Sequence, residues 1–228
     1  LGLGTMTFFW SKMRNEAKEC AHINLKYQDT LQGMNKMLKG YIGDMSTDLK
    51  SDFKKMLSTL SPFDFVAYGQ LEPFYLKLKQ YLGIKRSNML LSSGSDTAIK
   101  SVFEVFVGRG DRVLTTLPNY AMFSVYCEMF GAKEEKFFYS KDLKINLKSL
   151  KEKINQKTRL VILSNPSHTG KTIDKKELVG LITKCKENGA LLLLDEAYSH
   201  FCTVSHVDLI SKFDNLIIVQ TFSKAFGL

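Results

Sequence analysis

The sequence of 228 residues contains no apolar run that approaches the roughly 18–20 residues needed to cross a bilayer. Its opening segment, LGLGTMTFFW, lacks a basic stretch and a small-residue cleavage site, which argues against a secretory signal peptide. We therefore predict a cytoplasmic protein that has no membrane partner.

Cysteine is scarce, and the four cysteines form no C-x-x-C pair: Cys20, Cys127, Cys185 and Cys202. A zinc site needs paired ligands at short spacing, so this pattern argues against one, and we predict no metal site. We expect buried or neutral thiols in a reducing cytoplasm.

Arginine is also scarce, since only five of the 32 basic residues are arginine although the net charge is +9. Arginine is the residue that reads guanine bidentately, and no aromatic-basic platform accompanies the lysines. We predict a solvated, lysine-rich surface rather than a nucleic-acid partner. Such a surface would also attract an anionic small substrate.

From about residue 85 the sequence alternates between short apolar segments and amphipathic ones. The predicted helices cover 97–107, 121–130 and 147–154, and a further helix opens at the capping box of Asp174 and Glu177. The predicted strands cover 88–91, 112–116, 159–163, 190–194 and 216–219. Because the later strands are apolar without polar alternation, both of their faces are expected to be covered. The fold class is therefore α/β, a mostly parallel sheet covered by helices.

Residues 1–60 differ from the rest, being rich in lysine and methionine with weak periodicity. We predict that they form an N-terminal arm and part of a smaller domain, and that residues 61–228 form the large domain. The chain begins without methionine and stops at Leu228 within an unfinished pattern, so we expect a piece of a longer protein.

Chemically useful residues follow each predicted strand. Ligands of open α/β sheets sit beyond the carboxyl ends of the strands, so these residues are expected to share one edge. Singly, each has an ordinary structural explanation: a helix cap, a core aromatic, a turn or a solvated lysine. Their convergence on one edge favours a binding site. The residues are Ser95, Asp96, Thr97, Tyr120, Asn165, Asp195, Tyr198, Thr221, Ser223 and Lys224.

A nucleotide-binding alternative rests on residues 165–172, which match G-x-x-x-x-G-K-[ST] except that Asn165 replaces the first glycine. Pro166 removes an N–H that should cradle phosphate, and the cap at Asp174 starts the helix after Lys171. A P-loop ATPase is therefore the weaker alternative.

Taken together, the motifs resemble the fold-type I pyridoxal-phosphate aminotransferases, and most closely their histidinol-phosphate branch. The most specific part is the order and spacing of Asn165, Asp195, Tyr198 and Ser223-Lys224. The remaining motifs are Tyr68, Ser93-Gly94-Ser95-Asp96, Pro118-Asn119-Tyr120 and Thr221. The resemblance runs from about residue 60 to the end of the sequence.

The resemblance implies a role for each residue. Lys224 would form the Schiff base with the cofactor and act as general base, and Asp195 would keep the pyridine nitrogen protonated. Tyr198 and Asn165 would hydrogen-bond the phenolic oxygen, and Tyr120 would stack on the ring. The catalytic residues would thus be Lys224, Asp195 and Tyr198.

The resemblance also assigns the cofactor's phosphate to one group of residues. The backbone N–H groups of Ser95 and Asp96 would bind it, together with Thr97, Thr221 and Ser223. Tyr68 would reach the phosphate of the neighbouring subunit, which implies a homodimer with shared active sites.

The reaction implied is transfer of an amino group between an amino acid and a 2-oxo acid or phosphorylated ketone, in amino-acid biosynthesis. The chain departs from the family motif N-P-N-N-P-T-G, since Asn165-Pro-Ser-His-Thr-Gly170 is one residue shorter. A decarboxylase or lyase would use the same residues, because the cofactor carries the chemistry. A non-catalytic, cofactor-binding sensor is a further alternative.

Overall fold

The computed structural model describes residues 51, 55, 58–59, 70–202 and 204–226. The chain divides into two units, residues 1–70 and 71–228. In the first unit, the described positions 51, 55, 58 and 59 are helical. The second unit carries the sheet. The domain boundary expected after residue 60 stays a prediction.

Five parallel strands form the sheet in the order β2-β1-β3-β4-β5. The predicted parallel α/β fold is thereby confirmed, and four of the predicted strands are found within two residues of their expected bounds. The strands are β1 (Arg112–Leu117), β2 (Lys133–Phe138), β3 (Thr158–Ser164), β4 (Leu191–Asp195) and β5 (Leu216–Val219).

The described part of this unit also contains five α-helices and three short 3₁₀ segments. The helices are α1 (Glu72–Leu82), α2 (Gly94–Phe106), α3 (Met122–Met129), α4 (Leu147–Lys153) and α5 (Lys175–Glu187). The 3₁₀ segments are Arg86–Asn88, Ser199–Phe201 and Val207–Ser211.

Two apolar layers bury the two faces of the sheet, and β3 shows why its sequence does not alternate. Leu160 and Ile162 pack with the layer of α2 and α3, which includes Phe103. Val161 and Leu163 pack with the opposite layer, which belongs to α4 and α5. Because successive side chains of a strand point to opposite faces, a strand covered on both sides is apolar throughout.

Helix α5 begins as its sequence predicts. The Asp174 carboxylate accepts the N–H groups of Lys176 at 2.8 Å and Glu177 at 3.4 Å, which satisfies donors that the helix itself leaves free. The helix ends at Glu187, and Gly189 follows with a φ of +71°, a conformation that favours glycine.

The prediction of a strand at residues 88–91 is wrong. Arg86–Asn88 is a 3₁₀ segment, and the residues after it are not paired with any strand of the described sheet. The Leu91 N–H donates instead to the Tyr75 hydroxyl at 2.8 Å, and Leu90 is 85% exposed. An apolar β-rich stretch becomes a strand only where a neighbouring strand supplies hydrogen bonds.

Strand β2 was not anticipated from the sequence, because KEEKFF is too polar to resemble a buried strand. It lies at an edge of the sheet, and its charged side chains find partners there. Glu134 accepts the Thr115 hydroxyl at 2.6 Å and the Ser124 hydroxyl at 2.9 Å, while Glu135 pairs with Arg112 and Lys153. Charged residues on edge strands also discourage pairing with other chains.

Among the described residues, no helix combines the length and apolarity that a membrane span requires. Cys127 and Cys185 carry free thiols and are buried. Burial raises the pKa of both thiols to about 12, so they are protonated at neutral pH as expected.

Candidate active site

The site lies at the carboxyl edge of the sheet, where three strands end at the same level. Ser164 pairs with Asp195, and Asp195 pairs with Val219. Beyond them, the Asn165 N–H donates to the Asp195 carbonyl oxygen at 2.8 Å, and the Glu196 N–H donates to the Val219 carbonyl oxygen at 2.8 Å. The loops that follow β3, β4 and β5 therefore leave the sheet side by side.

Asp195 supplies a buried carboxylate at this edge, with 7% of the residue exposed. Its Oδ1 accepts the Ala197 N–H at 3.0 Å. Burial raises the pKa of Asp195 above its ordinary value, and the Ala197 N–H, the Lys224 ammonium and the Ser164 hydroxyl only partly offset it. A carboxyl group in this setting favours a cationic partner.

Lys224 and Tyr198 lie near each other, and Lys224 interacts electrostatically with this carboxylate. The Lys224 Nζ lies 5.9 Å from the centroid of the Tyr198 ring, and both side chains are exposed. Phe222 and Phe226 contact one another with centroids 5.5 Å apart, on either side of Lys224 in sequence. The predicted meeting of an amine, a phenol and a carboxylate at one edge is present.

Tyr120 lies at the same edge rather than in the core, since it is 37% exposed. Its hydroxyl donates to the Asp96 carboxylate at 3.2 Å, and its ring packs on Phe123 with centroids 5.7 Å apart. The pKa of Tyr120 is raised, first by partial burial and then by the negative charges of Asp96, Asp195 and Tyr198. Tyr120 therefore lies within electrostatic range of the carboxylate and phenol of the site.

The start of helix α2 also lies near this edge, because Asp96 in its first turn accepts the Tyr120 hydroxyl. The N-cap residue is Ser93, not Ser95 or Asp96, and its side chain makes no capping bond. The N–H groups of Ser95 and Asp96 belong to the first turn, where a helix leaves donors free. The Thr97 hydroxyl is engaged, because it donates to the Ser93 carbonyl oxygen at 2.9 Å. The helix start therefore offers backbone donors suited to an anion.

A tight turn after β5 carries the lysine. The Thr221 hydroxyl is buried, donates to the Ser223 hydroxyl at 3.2 Å and accepts the Ser223 N–H at the same distance. This local turn sets the direction of the chain into Lys224, which directly follows it.

The Asn165 amide is turned into the protein, although the family resemblance assigns it to the phenolic oxygen of the cofactor. Asn165 is 0% exposed, and its Oδ1 accepts the Ile173 N–H at 2.9 Å. Its Nδ2 lies 3.2 Å from the His206 Nδ1. The amide oxygen is therefore used inside the protein, and the amide nitrogen faces His206.

A buried hydrogen-bond network behind the site was not predicted from the sequence. The Glu196 carboxylate is fully buried and accepts the His206 N–H at 2.8 Å, the Ser205 hydroxyl at 2.7 Å and the Gln220 amide at 2.9 Å. Its Oε1 lies 3.1 Å from the His206 Nδ1. The acidic pair Asp195-Glu196 was a signal, but nothing local in the sequence identifies His206 as its partner.

The nucleotide-binding alternative is not supported by the loop after β3. The Ser167 N–H donates to the Lys171 carbonyl oxygen at 2.8 Å, and the Gly170 N–H donates to the Ser167 carbonyl oxygen at 2.9 Å. These donors are used within the loop, and the start of α5 is already capped by Asp174. A P-loop needs such N–H groups for phosphate.

Two further expectations concern the dimer and the absence of a metal. Tyr68, predicted to act across a dimer interface, lies outside the described residues. Within the described part of the chain, no group of three or more His, Cys, Asp and Glu side chains is arranged to hold a metal ion.

Comparison with known sequences finds one family. The family model described as aminotransferase class I and II matches residues 50–228. A histidinol-phosphate aminotransferase of Clostridium novyi is 32% identical over 195 residues, which is 83% of this chain and 52% of that protein. One of Thermoanaerobacter pseudethanolicus is 36% identical over 154 residues, which is 67% of this chain and 43% of that protein. The chain thus spans about half the length of these relatives.

Solved structures of proteins with related names resemble this chain in fold. The histidinol-phosphate aminotransferase of Sinorhizobium meliloti, in complex with pyridoxal-5'-phosphate, is 26% identical with a TM-score of 0.65, over 73% of this chain and 47% of that one. The enzyme of Clostridium acetobutylicum is 20% identical with a TM-score of 0.63, over 77% of this chain and 51% of that one, and its likeness concerns the fold alone. The predicted fold class is confirmed.

The substitution Asp195→Asn is expected to remove the carboxylate without loosening the ligand-free fold. The amide keeps an oxygen for the Ala197 N–H and removes a buried charge. Because the folded-state pKa of Asp195 is raised, its ionised form costs stability, and this cost grows as pH rises from the ordinary carboxyl value through the raised one. The melting temperature of the variant relative to the parent should be higher at about pH 7 than at about pH 4.

Asp142→Asn is the control, because its melting temperature relative to the parent should change with pH in the opposite direction. The Ser140 hydroxyl lowers the pKa of the exposed Asp142, so its ionised form contributes stability above the ordinary carboxyl pKa. The relative melting temperature of that variant should be lower at about pH 7 than at about pH 4. If Asp195→Asn followed the same trend, the carboxylate would be a stabilising charge.

Proposed function

Because the chain belongs to the class I and II aminotransferase family, we propose that it is the cofactor-binding part of a pyridoxal-phosphate-dependent aminotransferase. The observation that carries this proposal is the meeting of Lys224, Tyr198 and Asp195 at the carboxyl edge of the sheet. The reaction is transfer of an amino group between an amino acid and a 2-oxo acid or phosphorylated ketone.

The residues of the edge fit pyridoxal phosphate chemically. Asp195 is a buried carboxylate with a raised pKa, and it would gain a cationic partner in a protonated pyridine nitrogen. The free N–H groups of Ser95 and Asp96 suit a phosphate, and the hydroxyls of Thr221 and Ser223 lie in the turn before the lysine.

When bound, pyridoxal phosphate supplies an electron sink for the substrate's reacting carbon. Lys224 would hold the cofactor through its amine. Once the substrate's amine has displaced it, its free Nζ would accept the proton that leaves the substrate's α-carbon. Asp195 would hold the ring nitrogen protonated, which would keep the sink effective. Tyr198 would donate a hydrogen bond from its phenol, and Tyr120 would cover one face of the ring.

We favour a histidinol-phosphate type of substrate, because the curated relatives of this chain carry that name. The same residues would also serve a decarboxylase or lyase of this fold, or a non-catalytic sensor. The reaction uses small soluble molecules and the thiols of Cys127 and Cys185 are free, so we place the protein in the cytoplasm.

A homodimer with shared sites completes the proposal. We assign Tyr68 to the phosphate of the neighbouring subunit's cofactor, as the family resemblance implies. Tyr68 shortly precedes helix α1, whose Phe74 ring lies 6.1 Å from the Phe222 ring near the lysine.

The first test maps the lysine that carries the cofactor. The full chain, incubated with pyridoxal phosphate and reduced with borohydride, should carry the cofactor on one peptide, at Lys224. Lys224→Ala should lose this adduct, because Lys224 supplies the amine that lies beside Tyr198 and interacts electrostatically with Asp195. Mass spectrometry of the digested protein measures the result.

Lys171→Ala is the matched control, since Lys171 is an exposed lysine in the neighbouring loop. This variant should keep the adduct at Lys224 in full yield. An adduct on Lys171 instead would overturn the assigned roles and revive a phosphate site in that loop.

The second test separates the reaction classes. With glutamate as donor, the loaded protein should convert its cofactor to the amine form and release 2-oxoglutarate, because a transaminase keeps the amino group. A decarboxylase would instead release carbon dioxide, and a sensor would bind the cofactor without consuming the donor. Absorbance spectra and product analysis across a set of amino donors distinguish the three.

The third test addresses the shared site. A Tyr68→Phe chain should bind pyridoxal phosphate weakly, and a Lys224→Ala chain should form no adduct. Mixing the two should restore one intact site per hybrid dimer, because Lys224 comes from one chain and Tyr68 from the other. Hybrids that form without regaining high-affinity adduct formation would show that Tyr68 acts within its own subunit or not at all.

A further inference from the structure

We infer that His168 is a binding residue of this same site, placed beside Tyr198 where the sequence had assigned Asn165. The inference rests on the proposed function and goes beyond it, because it names the side chain that contacts the bound cofactor on the side of the β3 loop. The geometry of the loop, the contact with Tyr198 and the burial of Asn165 support it independently.

The β3 loop holds His168 at its tip. The Ser167 and Thr169 hydroxyls lie 2.7 Å apart, and the Thr169 hydroxyl donates to the Leu143 carbonyl oxygen at 3.2 Å. The Gly170 N–H closes the turn on Ser167 at 2.9 Å. Both neighbours of His168 are therefore fixed, while His168 itself is exposed.

The His168 ring meets the site through Tyr198. The two rings contact edge to face with centroids 6.3 Å apart, and the Lys224 Nζ lies 5.9 Å from the same Tyr198 ring. Among the described residues, neither ring nitrogen of His168 has a hydrogen-bond partner. A fixed imidazole with unused polar atoms beside the phenol and the amine is suited to bind a ligand there.

Asn165 is buried and held by contacts inside the protein. Its amide oxygen accepts the Ile173 N–H, so its nitrogen faces His206. His206 is held in turn by the buried Glu196. Turning the amide toward the site would leave the Ile173 N–H without this acceptor.

The protonation of His168 fits the same role. Although part of the His168 side chain is exposed, the neighbouring protein desolvates the ring and lowers the pKa of His168, so the imidazole is neutral at neutral pH and carries one N–H donor. A neutral donor can stabilise an anionic oxygen of the cofactor while leaving the net charge beside Lys224 unchanged. We assign this hydrogen bond to His168 together with the Tyr198 phenol.

The test compares four forms of the full chain: the parent, His168→Ala, His168→Asn and Asn165→Ala. The readouts are the dissociation constant for pyridoxal phosphate, the pH midpoint of the bound cofactor's visible absorbance, and the melting temperature without cofactor. His168→Ala should bind about tenfold more weakly and shift the midpoint upward, since a hydrogen bond to a charged group is lost, while its melting temperature is unchanged. His168→Asn should recover part of the affinity and move the absorbance midpoint part of the way back, because its amide is also a hydrogen-bond donor.

Asn165→Ala should show the reverse pattern. Its melting temperature should fall, because the Ile173 N–H loses its acceptor and a buried side chain is truncated, and its absorbance midpoint should stay at the parent value. Loss of affinity in Asn165→Ala at an unchanged melting temperature would make Asn165 the ligand and overturn the inference.

The remaining outcomes are equally decisive. Parent-like affinity and absorbance in His168→Ala overturn the inference while leaving the proposed function intact. A His168→Ala chain that does not fold shows a structural role for His168 and also overturns it. If the parent forms no adduct at Lys224, the proposed function itself fails, which the borohydride mapping shows separately.

Discussion

The parallel register of β3, β4 and β5 is the constraint on which the rest of the structure depends. Ser164, Asp195 and Val219 are paired in line, so three loops leave the sheet at one level. This register places the Asp195 carboxylate within reach of Lys224, although 29 positions of the numbering separate the two residues. A slip of one residue in β4 would turn Asp195 to the other face of the sheet and exchange it with Glu196.

The adjacent carboxylates of Asp195 and Glu196 have different surroundings, and we assign them different roles. Glu196 is completely buried and accepts hydrogen bonds from Ser205, His206 and Gln220, so its charge is compensated within the protein. Asp195 accepts the Ala197 N–H at 3.0 Å, and burial raises its pKa despite the Ser164 hydroxyl and the Lys224 ammonium. A buried carboxylate that the protein leaves incompletely paired is the one available for a cationic ligand, and such groups concentrate at functional sites.

This part of the chain supports the assignment of the cofactor more strongly than the assignment of the substrate. The groups that suit a phosphate, a pyridine nitrogen and an aldehyde all lie after strands of the described sheet or at the start of α2. The substrate is chosen by groups that surround the reacting carbon, and the chain spans about half the length of its relatives. The same cofactor serves transaminases, decarboxylases and lyases, so the reaction class depends on how the substrate is held.

The sequence by itself determined the parallel α/β architecture and the positions of Asp195, Tyr198, Lys224 and Tyr120 at one edge. Those features follow from local periodicity, since an apolar run indicates a buried strand and the residues after it must lie at its carboxyl end. Tertiary structure alone decided the edge strand β2, the unpaired segment at residues 89–91 and the direction of each loop side chain. Asn165 is turned inward by His206, which lies 41 residues away, and His168 is left beside Tyr198. Side chains in irregular loops take their direction from contacts distant in sequence, and no local pattern encodes such contacts.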